Sequence, residues 1–467
     1  MTFGDLSERE LSRVIAQVPA DVGSSIYSVN FDGLLAICVV CSEPEQMAGV
    51  NFFNRHFFVH TGQYSLTEPF GVLGSSGNPL PGHTHFSAFH KTVGPGMSIG
   101  LVGSAHSTAT FGGYVQIGGK VYGESVCGFL PSGGLTATFQ ASKDSPKSTL
   151  KKSLKRGESI EGPPQPGLPI SSPSHDDWSN FFSGERTLLL DIEERWGNID
   201  RAYEKNLGLI AAGVLADTDS AHRTLIRNRD QVGYQLDKAR RRVRDLRATC
   251  SNKRWEFARV VAPRLLVCDL KDDGTSSLGW PKANIFDTNV VFRDGVVVDS
   301  ALLDPNESRM GKNTVFPHSY SLSDTGDLKP GMDVMKAGRT TGETTGVVFD
   351  RRIWACLGNR VVINGKPRMI VTREYAIVPR RGRQWPFAKA GDQGAWVYSR
   401  GEVVAKVTAI VHSCGMESIV FISPMKVTLG GIQQAMNSDV ACTIANTTAP
   451  KRGERGHERK RTREAGG

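Results

Sequence analysis

Cysteine and histidine groupings are the first residue types in this chain whose spacing invites chemistry. Cys38-Val39-Val40-Cys41 has a redox or metal spacing. No second Cys or His pair stands at zinc-finger distance, however, and the setting is an apolar run, so both read as core thiols. His83-Thr84-His85 with His90 could ligate a metal, yet no carboxylate accompanies them closely, and a polar loop is the simpler reading. His412 and Cys414 lie two residues apart and would face the same side of one strand. A catalytic base must approach a thiol from a separate element, so Cys414 reads as a structural thiol. The glycines of Gly338 to Gly346 are not followed by Gly-Lys-Ser/Thr, which excludes a phosphate-binding loop. Neither a metal nor a cofactor is expected.

The most informative string is Ala390-Gly391-Asp392-Gln393-Gly394-Ala395-Trp396-Val397. It closely resembles the Gly-Asp-Ser-Gly nucleophile loop of trypsin-like serine proteases. In that loop the glycines permit a tight turn, and two backbone N–H groups, on the nucleophile and two residues before it, hydrogen-bond an oxyanion. The resemblance therefore implies an oxyanion hole at Gly391 and Gln393. An amide stands at the nucleophile position, and an amide is no nucleophile.

The surrounding segments resemble those of uncharacterised fungal trypsin-like proteins in the same order. Lys336-Ala337-Gly338-Arg339-Thr340-Thr341-Gly342 is similar to a strand-turn-strand of the second barrel, and Thr372 to Val378 to the strand leading into the nucleophile loop. Ile422-Ser423-Pro424-Met425 resembles the opening of the last helix, and Ser107 to Tyr114 the entry to the strand before the catalytic histidine. Ungapped, the histidine position falls on Gly128 in Tyr122-Gly123-Glu124-Ser125-Val126-Cys127-Gly128, and no histidine lies between His106 and His175. The third triad member of the family sits in a strand of the form Asp-x-Ala-Leu, and Phe286-Asp287-Thr288-Asn289 is taken as its counterpart, leaving Asp287 as the remnant. The resemblance thus implies a pseudoenzyme with vestigial triad positions Gly128, Asp287 and Gln393, acting as a protein-binding or scaffold module. Loss of triad members typically costs about 10⁴ to 10⁶ in turnover. Two other readings stand beside it: a hydrolase using displaced residues, and a nucleic-acid-associated protein acting through basic segments.

The elements that must position this loop follow from texture. The chain has 467 residues, 39% hydrophobic and 22% charged, with 51 glycines, which suits a turn-rich, mainly β globular protein. Hairpin signals recur at Gly118-Gly119, Asn364-Gly365 and Arg400-Gly401. The expected architecture is a trypsin-like double β-barrel with an inserted helical hairpin and a small N-terminal mixed α/β cap. The expected boundaries are a cap over 1–96, a first barrel over 97–140 plus 259–311, a disordered linker over 141–184, a helical hairpin over 185–258, a second barrel with its helix over 312–436, and a disordered basic tail over 437–467.

Leu189, Ile192, Trp196, Ile199 and Tyr203, then Val232, Leu236, Ala239, Val243 and Leu246, step by three and four as two amphipathic helices of coiled-coil kind. The first leans acidic and the second basic, so they are expected to pair with each other, and the hairpin is a candidate for self-association.

Net charge is +9. The stretch from Ala141 to Ala262 carries 22 Lys and Arg against 17 Asp and Glu, and the tail from Lys451 carries seven against three, so the excess sits wholly in those two segments. A nucleic-acid partner would be sought there but is not favoured over an unidentified protein or peptide. No run of eighteen apolar residues is present, the opening residues are acidic and mixed, and the eight cysteines are scattered. These features lead to the expectation of an intracellular protein of cytoplasm or nucleus, with no membrane partner.

Overall fold

In a computed structural model of the chain, the structure describes residues 24–31, 34–41, 57–61, 84–104, 107–126, 137–139, 167–216, 220–251, 255–270, 276–277, 290–293, 295–316, 320–363, 366–379, 386–411, 419–436 and 438–446. Their architecture is mainly β, with two large sheets and an inserted pair of long helices, as the composition and turn signals predict.

The first sheet runs in the order Thr443–Ile444, Gly113–Ile117, Lys120–Ser125, Gly295–Pro305, Glu256–Leu270, Pro169–Ser171, Ser98–Leu101, Ala109–Thr110. Its core holds Phe111, Tyr114, Phe257 and Leu303, all buried. The second sheet runs Asp324–Thr325, Glu402–Val411, Trp396–Ser399, Asp333–Gly338, Gly342–Val348, Lys366–Pro379, Ile353–Ile363, Ala137–Phe139, and Ile419–Pro424 pairs with both Lys366–Pro379 and Glu402–Val411. Val334, Phe387, Val407 and Ile422 are among the residues that fill its core. A third cluster joins the two lobes, with Trp396 packed among Val115, Leu302, Ala337 and Met425.

The turn chemistry accounts for the registers. Gly118 and Gly119 take φ of 56° and 83° between paired strands, and Arg400 and Gly401 take 52° and 86° between Trp396–Ser399 and Glu402–Val411. Two successive residues with positive φ make the primed turn whose twist matches flanking strands. The strands on either side of Asn364-Gly365 pair as expected, while those two residues lie outside the described residues.

The inserted helices run His175–Ala211 and Ser220–Ser251. Val232, Leu236, Val243 and Leu246 are buried along the seam. The acidic and basic helices do pair, through Arg229–Asp200 at 2.8 Å, Arg240–Glu193 at 3.0 Å and Arg242–Glu185 at 2.8 Å. At Gly233 a Cβ would meet the Trp196 ring at 2.9 Å, so the absent side chain is what lets the helices close there.

Several boundaries differ from the sequence expectation. The first helix begins at His175, inside the stretch expected as linker, because Ser174 accepts a hydrogen bond from Asp177 N and Asp176 and Asp177 fall in the first turn, where the helix dipole favours acids. Pro169–Ser171, from the same stretch, is a strand of the first sheet. Ala137–Phe139 and Val290–Arg293, assigned to the first barrel, pair instead with strands of the second sheet, where they satisfy backbone groups that would otherwise lack partners. After the last helix, Met425–Ala435, the chain returns to the first sheet as Thr443–Ile444 and buries Cys442, Ile444 and Ala445, so residues 442–445 belong to the first sheet rather than to a tail. In the N-terminal region Ser24–Phe31, Leu34–Cys41 and Phe57–Thr61 form a separate three-stranded sheet, followed by a short helix, Thr84–Ser87. Among the described residues no helix is long and apolar enough to cross a membrane.

Candidate functional site

The loop Ala390 to Gly394 precedes the strand Trp396–Ser399, and two of its residues need a left-handed backbone. Gly391 has φ of 95° and Gly394 of 91°. A Cβ on Gly391 would meet Thr340 Oγ1 at 2.5 Å, and one on Gly394 would meet the Thr110 carbonyl oxygen at 2.4 Å. Glycine is required at both positions by conformation and by space.

Between these glycines, the Asp392 carboxylate is wholly buried and organises the loop from beneath. Oδ1 accepts from the Thr340 N–H at 2.8 Å and the Thr341 N–H at 3.3 Å. Oδ2 accepts from the Thr341 hydroxyl at 2.6 Å and the Lys389 N–H at 3.0 Å, and it lies 3.3 Å from Lys336 Nζ. Lys336 is itself fully buried and also donates to Thr341 Oγ1 and the Gly342 carbonyl. Burial pulls its ammonium below the ordinary lysine range, and the Asp392 charge opposes that pull. The turn Gly338 to Gly342, between the paired strands Asp333–Gly338 and Gly342–Val348, is thus a clasp around one carboxylate.

Gln393 presents its backbone and side chain differently. Its carbonyl accepts from Thr110 N at 3.0 Å, which ties the loop to the first sheet. Its side-chain Oε1 accepts from the Gly391 N–H at 2.8 Å. The side-chain amide of Gln393 therefore engages the backbone N–H two residues before it. Gln393 is partly exposed, whereas Gly391 is buried. Gly391 and Gln393, paired in the sequence reading, are hydrogen-bonded to one another.

Next to the loop lies a buried cluster that sequence reasoning missed. Glu124, in the strand Lys120–Ser125, is completely buried, and its Oε1 lies 2.5 Å from Lys406 Nζ and 3.3 Å from the Ser300 hydroxyl. Its Oε2 accepts from the Trp396 indole N–H at 2.8 Å. Lys406 also donates to Ser300 Oγ at 2.7 Å and to the Asp299 carbonyl. Burial pushes the Glu124 carboxyl above its ordinary range, with Lys406, Trp396 and Ser300 drawing it back. Each charge comes from a different strand, and nothing local in sequence announces such a pairing.

Gly128 and Asp287 lie outside the described residues, as do His83, His106, His412 and Cys414. The strand Gly295–Pro305 is described and reads Asp299-Ser300-Ala301-Leu302, the Asp-x-Ala-Leu form letter for letter. Asp299 is buried, and Ala301 pairs with Ser125, so this strand lies beside the one that leads toward Gly128.

His85 and His90 do meet, with ring centroids 4.2 Å apart, but His90 Nε2 donates to the His85 carbonyl at 2.7 Å and the His85 ring stacks on Phe316 at 3.7 Å. Burial pulls His85 down to about 4, with His90 adding to the shift. Among the described residues no group of three or more His, Cys, Asp or Glu is arranged to hold a metal.

No protein-family model matches the chain, and no curated protein matches it. Solved structures similar to it include Thermobifida fusca Protease A, 8% identical with a TM-score of 0.30 over 73% of this chain and 96% of that one. A glutamic-acid-specific serine protease is 14% identical with a TM-score of 0.23 over 41% of this chain and 91% of that one. Cellulomonas bogoriensis chymotrypsin is also 14% identical, with a TM-score of 0.24 over 41% of this chain and 76% of that one.

Proposed function

We propose that the chain is a trypsin-like module that no longer hydrolyses and that binds a protein or peptide in the cleft its nucleophile loop once served. The observation that carries this reading is the 2.8 Å hydrogen bond from the Gly391 N–H to Gln393 Oε1. Acyl transfer needs a nucleophile, a base to take its proton, and free donors for the oxyanion. Position 393 offers an amide, position 128 a glycine, and the Gly391 donor is already engaged. Asp299 replaces Asp287 in this proposal as the remnant of the third triad position, because its strand has the matching form and neighbours the strand that leads to Gly128.

What remains is a tightly bonded loop with a partly exposed Gln393 amide covering the Gly391 N–H, a group suited to main-chain hydrogen bonding with an extended peptide once uncovered. An incoming carbonyl would compete with Gln393 Oε1 for the Gly391 N–H. Gln393→Ala removes that competitor, so peptides selected from a random library on the wild-type protein should bind the variant several-fold more tightly, as read by fluorescence anisotropy. Unchanged or weaker binding in the variant would place the peptide elsewhere and sink this reading of the loop.

A further inference from the structure

The hairpin's first turn reaches the loop through a buried relay. Asp177 and Arg339 form a two-pronged ion pair, Oδ2 to Nε and Oδ1 to Nη2, each 2.6 Å, with side chains 0% and 1% exposed. From Arg339 two branches lead to the loop. The Arg339 N–H donates to Thr110 Oγ1 at 3.0 Å, and that hydroxyl donates to the Gly391 carbonyl at 2.8 Å. Arg339 Nη1 lies 3.4 Å from Thr340 Oγ1, whose hydroxyl donates to the Ala390 carbonyl at 2.8 Å. The Ala390 carbonyl and the Gly391 N–H belong to one planar peptide group and point in opposite directions. Fixing the carbonyl therefore aims the N–H, and its target is Gln393 Oε1.

We propose that the inserted hairpin is the control arm of the Gln393-plugged loop, holding the Ala390–Gly391 peptide in its plugged orientation through Asp177 and Arg339. The mechanical layout suits this role. The base of the hairpin is anchored by Trp178, which packs with Trp255, Phe89 and Phe182. A helix of 37 residues is about 55 Å long, so displacement of the far end acts on that base through a long lever. The two states of the element are defined by one peptide group, with its N–H bonded to Gln393 or turned away from it. A partner that grips the hairpin would thereby alter access to the cleft, and a ligand in the cleft would alter the seating of the hairpin to the same degree. The coupling rests on the proposed plug but not on loss of hydrolysis; covalent trapping of the wild-type protein by a serine-directed reagent would end the latter and leave the coupling standing.

The test is hydrogen–deuterium exchange by mass spectrometry on the full chain, comparing segment 387–396 with the core strand 403–411. Asp177→Asn should speed exchange of the loop tenfold or more and leave the strand unchanged. The paired variant Asp177→Asn with Arg339→Gln, which leaves no lone buried charge, carries the same expectation. Arg240→Gln, which breaks an exposed pair farther along the hairpin, should change neither segment. Loop exchange within twofold of wild type in the paired variant, or a rise of equal size in both segments, would overturn the proposal.

Discussion

Lys406→Met tests whether the cluster beside the loop is held as an interlocked charge pair. The substitution keeps the length of the side chain and removes the ammonium. It leaves the wholly buried Glu124 carboxylate with the Trp396 indole and the Ser300 hydroxyl as its remaining partners. Breaking a buried pair by removing one member typically costs about 3–5 kcal/mol, against total stabilities of roughly 5–15 kcal/mol. Replacing both members with neutral groups of similar volume is often close to neutral, so Glu124→Gln with Lys406→Met should lie within about 1–2 kcal/mol of wild type.

The sign of the pH dependence follows from Glu124, whose folded carboxyl is raised by burial and would rise further without Lys406. An acid raised on folding destabilises the native state above its unfolded pKa, and the penalty disappears as pH falls. The cost of Lys406→Met should therefore shrink between pH 8 and pH 5, by at most ~1.4 kcal/mol per unit. Urea denaturation of wild type, both single variants and the double variant closes the cycle, with an expected coupling of at least about 4 kcal/mol. A single-variant cost under about 1 kcal/mol at pH 8, or a double variant as unstable as the sum of the singles, refutes the reasoning.

Glu374 offers a second pH test: burial pushes its carboxyl up to about 7, against the pull of the nearby Thr372 hydroxyl, the Val297 N–H and Arg352, and Oε2 has no hydrogen-bond partner among the described residues. Its protonated form is favoured on folding, so wild type should lose stability relative to Glu374→Gln as pH rises from about 4.5 to 7, by on the order of 3 kcal/mol, and a difference independent of pH would contradict the assignment. Gly394→Ala should destabilise by roughly 1–3 kcal/mol in thermal unfolding, since it combines a φ of 91° with a backbone oxygen 2.4 Å from the new Cβ, and a neutral outcome would mean that the loop relaxes freely.

The parts of this molecule that are written locally were legible in its sequence. Gly391 and Gly394 bracket Asp392 because only glycine takes that turn, and Gly118-Gly119 and Arg400-Gly401 set their hairpins by the same rule. The helical seam through Val232, Leu236, Val243 and Leu246 shows in its spacing. Ser174 followed by Asp176 and Asp177 was a usable start signal, hidden by the Pro- and Ser-rich composition around it. Contacts between distant segments had no such signature: Asp177 meets Arg339 across 162 residues, and Glu124 meets Lys406 across 282. Each of those four residues reads alone as an ordinary surface charge, and only the fold makes them buried partners.

On the proposed reading, the loop Ala390 to Gly394 keeps its tight glycine turn without hydrolytic chemistry. Incubation of the purified wild-type protein with a fluorophosphonate, followed by intact-mass spectrometry, tests it most directly. No mass increase is expected over hours, and none for Gln393→Ser, because on the proposed reading a serine there would still lack a histidine base, position 128 being glycine. Stoichiometric addition of one phosphonyl group to the wild-type chain would contradict it.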